Sequence, residues 1–358
     1  MLIRGLSEIR LSERSYRQSA AFHLAEAGIQ QALVNLRTFS SADDVTSGTQ
    51  PTGTFWLEMT TLGPLTTQVM SHGQSTSERK DLEAIVDLVG QSAFRFALFG
   101  DQLVEVGGSA LTNSYDSRLG PYDPDTAQHE GNVGTNATST GGMDLSGSIF
   151  IDGQVFVGPG VEDPTSVIDG YDPNLITGNP DVVSQPYAFP MPPVSVPQGV
   201  TCSDLKVAGN EVVTLSATGG SLGNGTYCYD DLTVQGGGTL NSDGDVTVYL
   251  TGELIAHGNS SMIGVEGDPT QMLFLMTAGA EASIQEGTIT GSNAFYGAIY
   301  GPDAEIKITG NAQVYGSIVA QEVNLKGSAV IHYDEALGES GKIVNTYKAS
   351  VIAWRGLN

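Results

Sequence analysis

Three oxygen-bearing side chains alternate at Asn241, Asp243 and Asp245, a spacing that could place three donors on one calcium ion. The pattern is incomplete as a calcium loop, because no Glu stands at the bidentate distance. Asp230-Asp231, Asp123 with Asp125, and Glu253 supply the acids that carbohydrate cleavage on a β-helix would need. Most of these acids sit beside Gly, Pro or Asn, where Asp serves turns through its own hydrogen bonds. The five histidines, at 23, 72, 129, 257 and 332, show no zinc-ligand spacing. The glycines of "GGSLGNG" (219–225) are not followed by a Lys-Ser or Lys-Thr pair or by a helical pattern, so they make a turn and not a phosphate loop. There is no GxSxG elbow. The expectation is a non-enzymatic protein without a cofactor, calcium being the single candidate ion.

Charge narrows the partners. The chain carries 15 Lys and Arg against 40 Asp and Glu, for a net −25. Residues 1–37 hold five Arg and three Glu, whereas Lys206 is the single basic residue between Leu119 and Glu305. Such a surface repels phosphate backbones and excludes nucleic acid as a partner. Cys202 and Cys228 are the two cysteines, 26 apart, and are expected to form one disulfide in an exported protein. No run approaches the 18 apolar residues that a membrane span requires.

The elements that would carry these residues fall into two textures. Phe22, Ala25, Ile29, Leu33 and Leu36 recur at helical spacing, and no proline interrupts residues 1–50. The spacing predicts a helix of roughly 30 residues, about 45 Å long. Ala20, Ala21, Ala25, Ala27 and Gly28 make it thin enough for another backbone to approach closely. Residues 54–62, 65–73 and 81–89 then read as three short strands of a small antiparallel sheet.

Residues 11–36, "LSERSYRQSAAFHLAEAGIQQALVNL", resemble the N-terminal stem of type IV pilus minor-pilin-like proteins of the PilX kind, whose "AxxxAEAG" core is matched by Ala21 and by Ala25-Glu26-Ala27-Gly28. The resemblance implies that the stem docks among other pilin-like subunits through Phe22, Ala25, Ile29 and Leu33. In that family about 20 apolar residues precede the stem. Membrane contact is therefore expected only through a segment preceding Met1, and the protein is expected at the bacterial cell surface.

From residue 91 glycine and β-branched residues dominate. Tyr296, Gly297 and Ile299 match Tyr315, Gly316 and Ile318 at a spacing of 19, and Ile306, Ile308, Gly310 and Ala312 match Val323, Leu325, Gly327 and Ala329 at 17. Ala282-Ser283-Ile284 precedes a similar Ala304-Glu305-Ile306 by 22. Repeats of this length with glycine at the corners indicate a β-solenoid rather than an antiparallel sandwich, with Glu305, Lys307, Glu322 and Asn324 facing outward. Six prolines between 180 and 197 mark an extended crossing segment. "NSYDS" (113–117), the strand "TYCYDDL" (226–232) and "HYDEAL" (332–337) resemble the β-rich regions appended to pilin-like stems.

The expected fold is mainly β: a pilin-like helix and small sheet over 1–90, a β-solenoid over 91–337, and a tail over 338–358 that caps the last coil. The expected function is that of a minor pilin, with the acidic solenoid displayed for assembly or adhesion to glycans or other surfaces. Two alternatives stand beside it. One is a calcium-dependent carbohydrate-binding or carbohydrate-cleaving surface protein; the other is a soluble, polymerising scaffold of the bactofilin sort.

Overall fold

The computed structural model describes residues 2–36, 45–63, 65–278, 285–289, 294–340 and 344–357. The chain forms two compact units, one of residues 1–91 with 344–358 and the other of residues 92–343.

The first unit is built on the helix Leu2–Asn35, whose 34 residues span about 51 Å. Strands Ser47–Gln50, Gly53–Gly63, Thr66–Ser75 and Glu78–Ser92 follow as an antiparallel meander. The polar stretch 73–80 is not a long connection. Ser75 pairs with Glu78, leaving a two-residue turn in which Thr76 takes a positive φ of 54°. The fifth strand is the chain's end: Val344–Leu357 lies beside Glu78–Ser92 at the sheet edge. The tail is thus a strand of the stem sheet and does not cap the last coil. The reason is an open edge on Glu78–Ser92 that accepts a further run of β-formers. Leu24, Ala32 and Leu33 pack on Phe55, Leu57, Val69, Ala84 and Val86 to make this unit's core.

The second unit is a β-solenoid in which, among the described residues, the strand-to-strand ladders are parallel. The matched residues of the repeat stand in register: Tyr296 opposite Tyr315, Ile299 opposite Ile318, Ile306 opposite Val323 and Ile308 opposite Leu325. Strands at coil spacing of about 4.8 Å let those inward side chains stack into one continuous core, where Ile299, Ile306, Ile308, Ile318, Val323 and Leu325 are all buried. The spacing of 22 is not a coil. Gln285, Glu286 and Gly287 are the residues opposite Ala304, Glu305 and Ile306, 19 apart, and Ala282, Ser283 and Ile284 lie outside the described residues.

Coil order in space departs from order in the chain. Leu98–Gly108 and Leu111–Tyr115 form the first coil, and two further coils carry the chain to Asn179–Ser184. The next strand, Ser203–Ala208, starts at the other end of the stack. Successive coils then return until Gln313–Leu325 and Val330–Asp334 pair with the first coil. The proline-rich residues 185–202 make the long connection. They are pinned by Phe189, buried against Phe96 and Phe99, and by the Pro192 carbonyl, which accepts the Tyr300 hydroxyl at 2.8 Å.

Candidate functional site

The stem helix is the first candidate surface. Its small residues bring it onto its own sheet. A Cβ on Gly73 would lie 2.0 Å from the Ala21 carbonyl oxygen, and one on Gly28 would lie 2.0 Å from Ser71 Oγ. Ser71 Oγ donates to the Ala25 carbonyl at 2.7 Å. Ala25 and Leu33 are therefore buried within the unit, whereas Phe22 and Ile29 are half-buried at the flank of the contact. The buried stripe runs through Ala21, Leu24, Ala25, Gly28 and Ala32, one residue round from the predicted one. The closest approach falls on the small residues Ala21, Ala25 and Gly28, with Leu24 and Leu33 filling the space beside them. Residues 10–16 are exposed on every side, with Leu11 and Tyr16 both at 67%.

Asp243 Oδ1 accepts the Ala217 amide of the neighbouring coil, and Asn241 lies in the outward ladder between Thr214 and Ile263. Among the described residues no group of three or more acidic, His or Cys side chains is arranged to hold a metal. Asp123, Asp230 and Asp231 hold turns and neighbouring coils. Asp123 caps the short turn helix Pro124–Thr126, Asp231 accepts the Glu253 amide at 2.8 Å, and Asp230 accepts the Thr251 hydroxyl at 2.9 Å. Cys202 and Cys228 are joined in a disulfide, with Cα atoms 4.9 Å apart, which ties the end of the proline-rich segment to strand Thr226–Gln235.

Two features escaped the sequence reading. The first is a column of acids that the coil ladders bring together: Glu286, Glu305 and Glu322 stand opposite one another, and Asp204, Asp231 and Glu253 flank the paired residues of the coils before them. Their separations in the chain are 27, 22, 33, 19 and 17, so no fixed period announces them. Lys307 answers one of them, reaching Glu305 at 3.0 Å.

The second lies where the last coil meets the first. "NSYDS" and "HYDEAL" are paired in register, with His332 opposite Asn113, Tyr333 opposite Ser114 and Asp334 opposite Tyr115. Tyr296, Tyr315 and His332 stack in a column, at 4.3 and 4.8 Å between centroids, and Tyr122 closes over His332 at 3.8 Å. Asp334 is fully buried, accepting the Ser117 and Ala336 amides through Oδ1, while its Oδ2 has no partner. Burial raises its pKa above the usual carboxylate range. Glu335, held by the Ser114 hydroxyl at 2.8 Å, is raised as well, first by desolvation. Burial conversely holds His332 down at about 4. Their contacts to Asn113, Ser114 and Ser117 form a structural joint between the last coil and the first.

The chain is thus mainly β, with one N-terminal helix, a small antiparallel sheet and a β-solenoid. A family described as Domain of unknown function (DUF7305) matches residues 237–340, the later returning coils and the short helix after them. No curated protein matches. Among solved structures, the competence-associated pilin ComZ from Thermus thermophilus aligns at 12% identity over 95% of this chain and 97% of its own, with a TM-score of 0.27. The DUF3494 domain of a Shewanella frigidimarina ice-binding protein aligns at 15% identity over 69% of this chain and 99% of its own, with a TM-score of 0.38. Among the described residues no helix is long and apolar enough to cross a membrane.

Proposed function

We propose that this protein is an exported, non-enzymatic, pilin-like subunit whose helix docks in a type IV pilus or related filament and whose acidic solenoid is displayed at the cell surface. The observation that carries the reading is the division of the helix. From Ala20 onward it is buried on its own sheet, whereas residues 10–16 are solvent-exposed, Leu11 and Tyr16 among them, and Arg14 reaches the sheet through an ion pair to Glu78 at 3.5 Å. Helices owe most of their stability to the packing of one face, so the exposed half calls for a partner. A second helix of the same kind fits it. The near-balanced charge of this unit, nine basic and ten acidic residues, permits close packing between copies. The solenoid unit, with six basic and thirty acidic residues, keeps heads apart. The Cys202–Cys228 disulfide fits an oxidising compartment.

The test is incorporation into filaments sheared from cells. Leu11→Glu and Tyr16→Glu should remove the protein from the sheared fraction while its melting temperature stays within about 2 °C, as expected for exposed sites. Undiminished incorporation of both variants would overturn the reading.

A further inference from the structure

Arg95 enters the solenoid unit within Phe94-Arg95-Phe96, just before the first coil strand Leu98–Gly108. The unit holds thirty acids, yet among the described residues no hydrogen bond or ion pair reaches the Arg95 guanidinium, and its Nε is buried without a partner. Elsewhere in the unit Arg118 pairs with Asp116, Lys307 with Glu305 and Lys326 with Glu105. Arg95 instead lies over the ring of Phe189 at 4.8 Å. Withdrawing a cation from water without a counter-charge is costly. The desolvation shows in a pKa lowered from the ordinary arginine value.

Beside it is a cavity of about 240 Å³, lined by Arg95, Phe96, Phe156, Gln185, Tyr187 and Phe189. Its walls are fixed. Phe96 meets Phe156 and Phe189 edge-on at 5.5 and 5.4 Å. The proline-rich segment that brings Tyr187 and Phe189 is clamped by Asn136, which accepts the Phe189 amide at 2.6 Å and donates to its carbonyl at 2.7 Å. Tyr187 is 39% exposed and gives access.

We propose that this cavity binds a small monocarboxylate with an aromatic or similarly flat apolar body, the carboxylate on Arg95 and the body against Phe96, Phe156 and Tyr187. A guanidinium fork matches a carboxylate with two parallel hydrogen bonds, and the missing counter-charge arrives with the ligand. Aromatic walls reward a flat apolar body. A cavity of about 150 Å³ holds benzene, so the volume here admits a ring and its carboxylate. A phosphate dianion would lack a second cation, and its polar oxygens would face aromatic rings.

The experiment is calorimetric titration of the full chain with phenylacetate, phenylacetamide and inorganic phosphate, each up to about 10 mM, where a weak site is still visible. Phenylacetate should bind saturably, and about tenfold or more tightly than the amide, which loses the charge-assisted pair, or than phosphate, which loses the contacts with the aromatic walls. Arg95→Gln should weaken phenylacetate by a similar factor. Tyr187→Ala, at an exposed position, should weaken it several-fold with the melting temperature unchanged. The proposal is overturned by equal binding of acid and amide, by tighter binding of phosphate, by no binding of phenylacetate, or by a folded Arg95→Gln or Tyr187→Ala protein that binds like wild type.

Discussion

His332 and Asn113, 219 residues apart in the chain, sit opposite each other in adjacent coils, with His332 Nδ1 and Asn113 Oδ1 separated by 2.7 Å. Asn113 Nδ2 donates to the Tyr122 hydroxyl at 2.9 Å, so its oxygen faces the imidazole and the neutral ring donates from Nδ1. The pair marks the joint at which the last coil returns to the first, and the joint depends on that histidine staying uncharged.

Stability should therefore fall with acid. His332 has a folded pKa of about 4 against an ordinary value of 6.5. The unfolded chain binds the extra proton first, so the contribution is present above 6.5 and is lost as pH drops toward 4. The loss is roughly 3 kcal/mol by pH 4. Asp334 and Glu335, both raised, act oppositely: they cost stability above the carboxylate range and relieve that cost on acidification. They are common to wild type and to His332→Gln, so urea unfolding of the two proteins from pH 7 to 4 isolates the histidine. The difference between the two should narrow by roughly 3 kcal/mol over that range. Parallel curves would show that the imidazole does not titrate as stated.

The helix–sheet contact predicts a contrast between two glycines. Gly73→Ala drives a methyl group into the Ala21 carbonyl, 2.0 Å away, and into the Ala25 amide at 2.5 Å. It should cost about 2–3 kcal/mol, or detach the helix. Nothing lies within 4 Å of a Cβ on Gly63, so Gly63→Ala should stay within about 0.5 kcal/mol. Thermal melts followed by helical ellipticity compare them, and similar melting points would refute the close approach.

The acidic column should be a net cost. Like charges directly opposite in a sheet repel, and Glu322 follows Glu305 in register. Glu322→Gln should raise stability by a few tenths of a kcal/mol at low salt. The gain should vanish near 1 M salt, where the screening length is about 3 Å. A gain independent of salt would point away from charge repulsion. Asp231→Asn is a poor substitute for this test, because Asp231 Oδ1 also holds the Glu253 amide.

Much of the architecture was legible because its causes are local. The helix followed from uninterrupted helical residues, and the solenoid from the 19- and 17-residue matches that the ladders reproduce pair by pair. The prolines at 186–197 announced a segment unable to join a central ladder, whereas Pro180 falls within the strand Asn179–Ser184. The acidic column was hidden because loops of different length separate residues that the ladders bring together. In the stem, the small residues Ala21, Ala25 and Gly28 announced a close backbone approach, but which strand they meet depends on residues more than 40 positions away, such as Ser71 and Gly73.

The sequence by itself determined which residues become helix, which become coils and where the chain must cross, since backbone propensity and side-chain periodicity act over a few residues. Only the tertiary structure decided that the first coil is sandwiched between the returning coils and the two that follow it. It also decided that Val344–Leu357 completes the stem sheet. Parallel ladders accept any neighbouring strand with matching inward side chains. Which strand docks where is then settled by the aromatic and carboxyl contacts that form between distant segments, here Asn113 to Ser117 against His332 to Leu337.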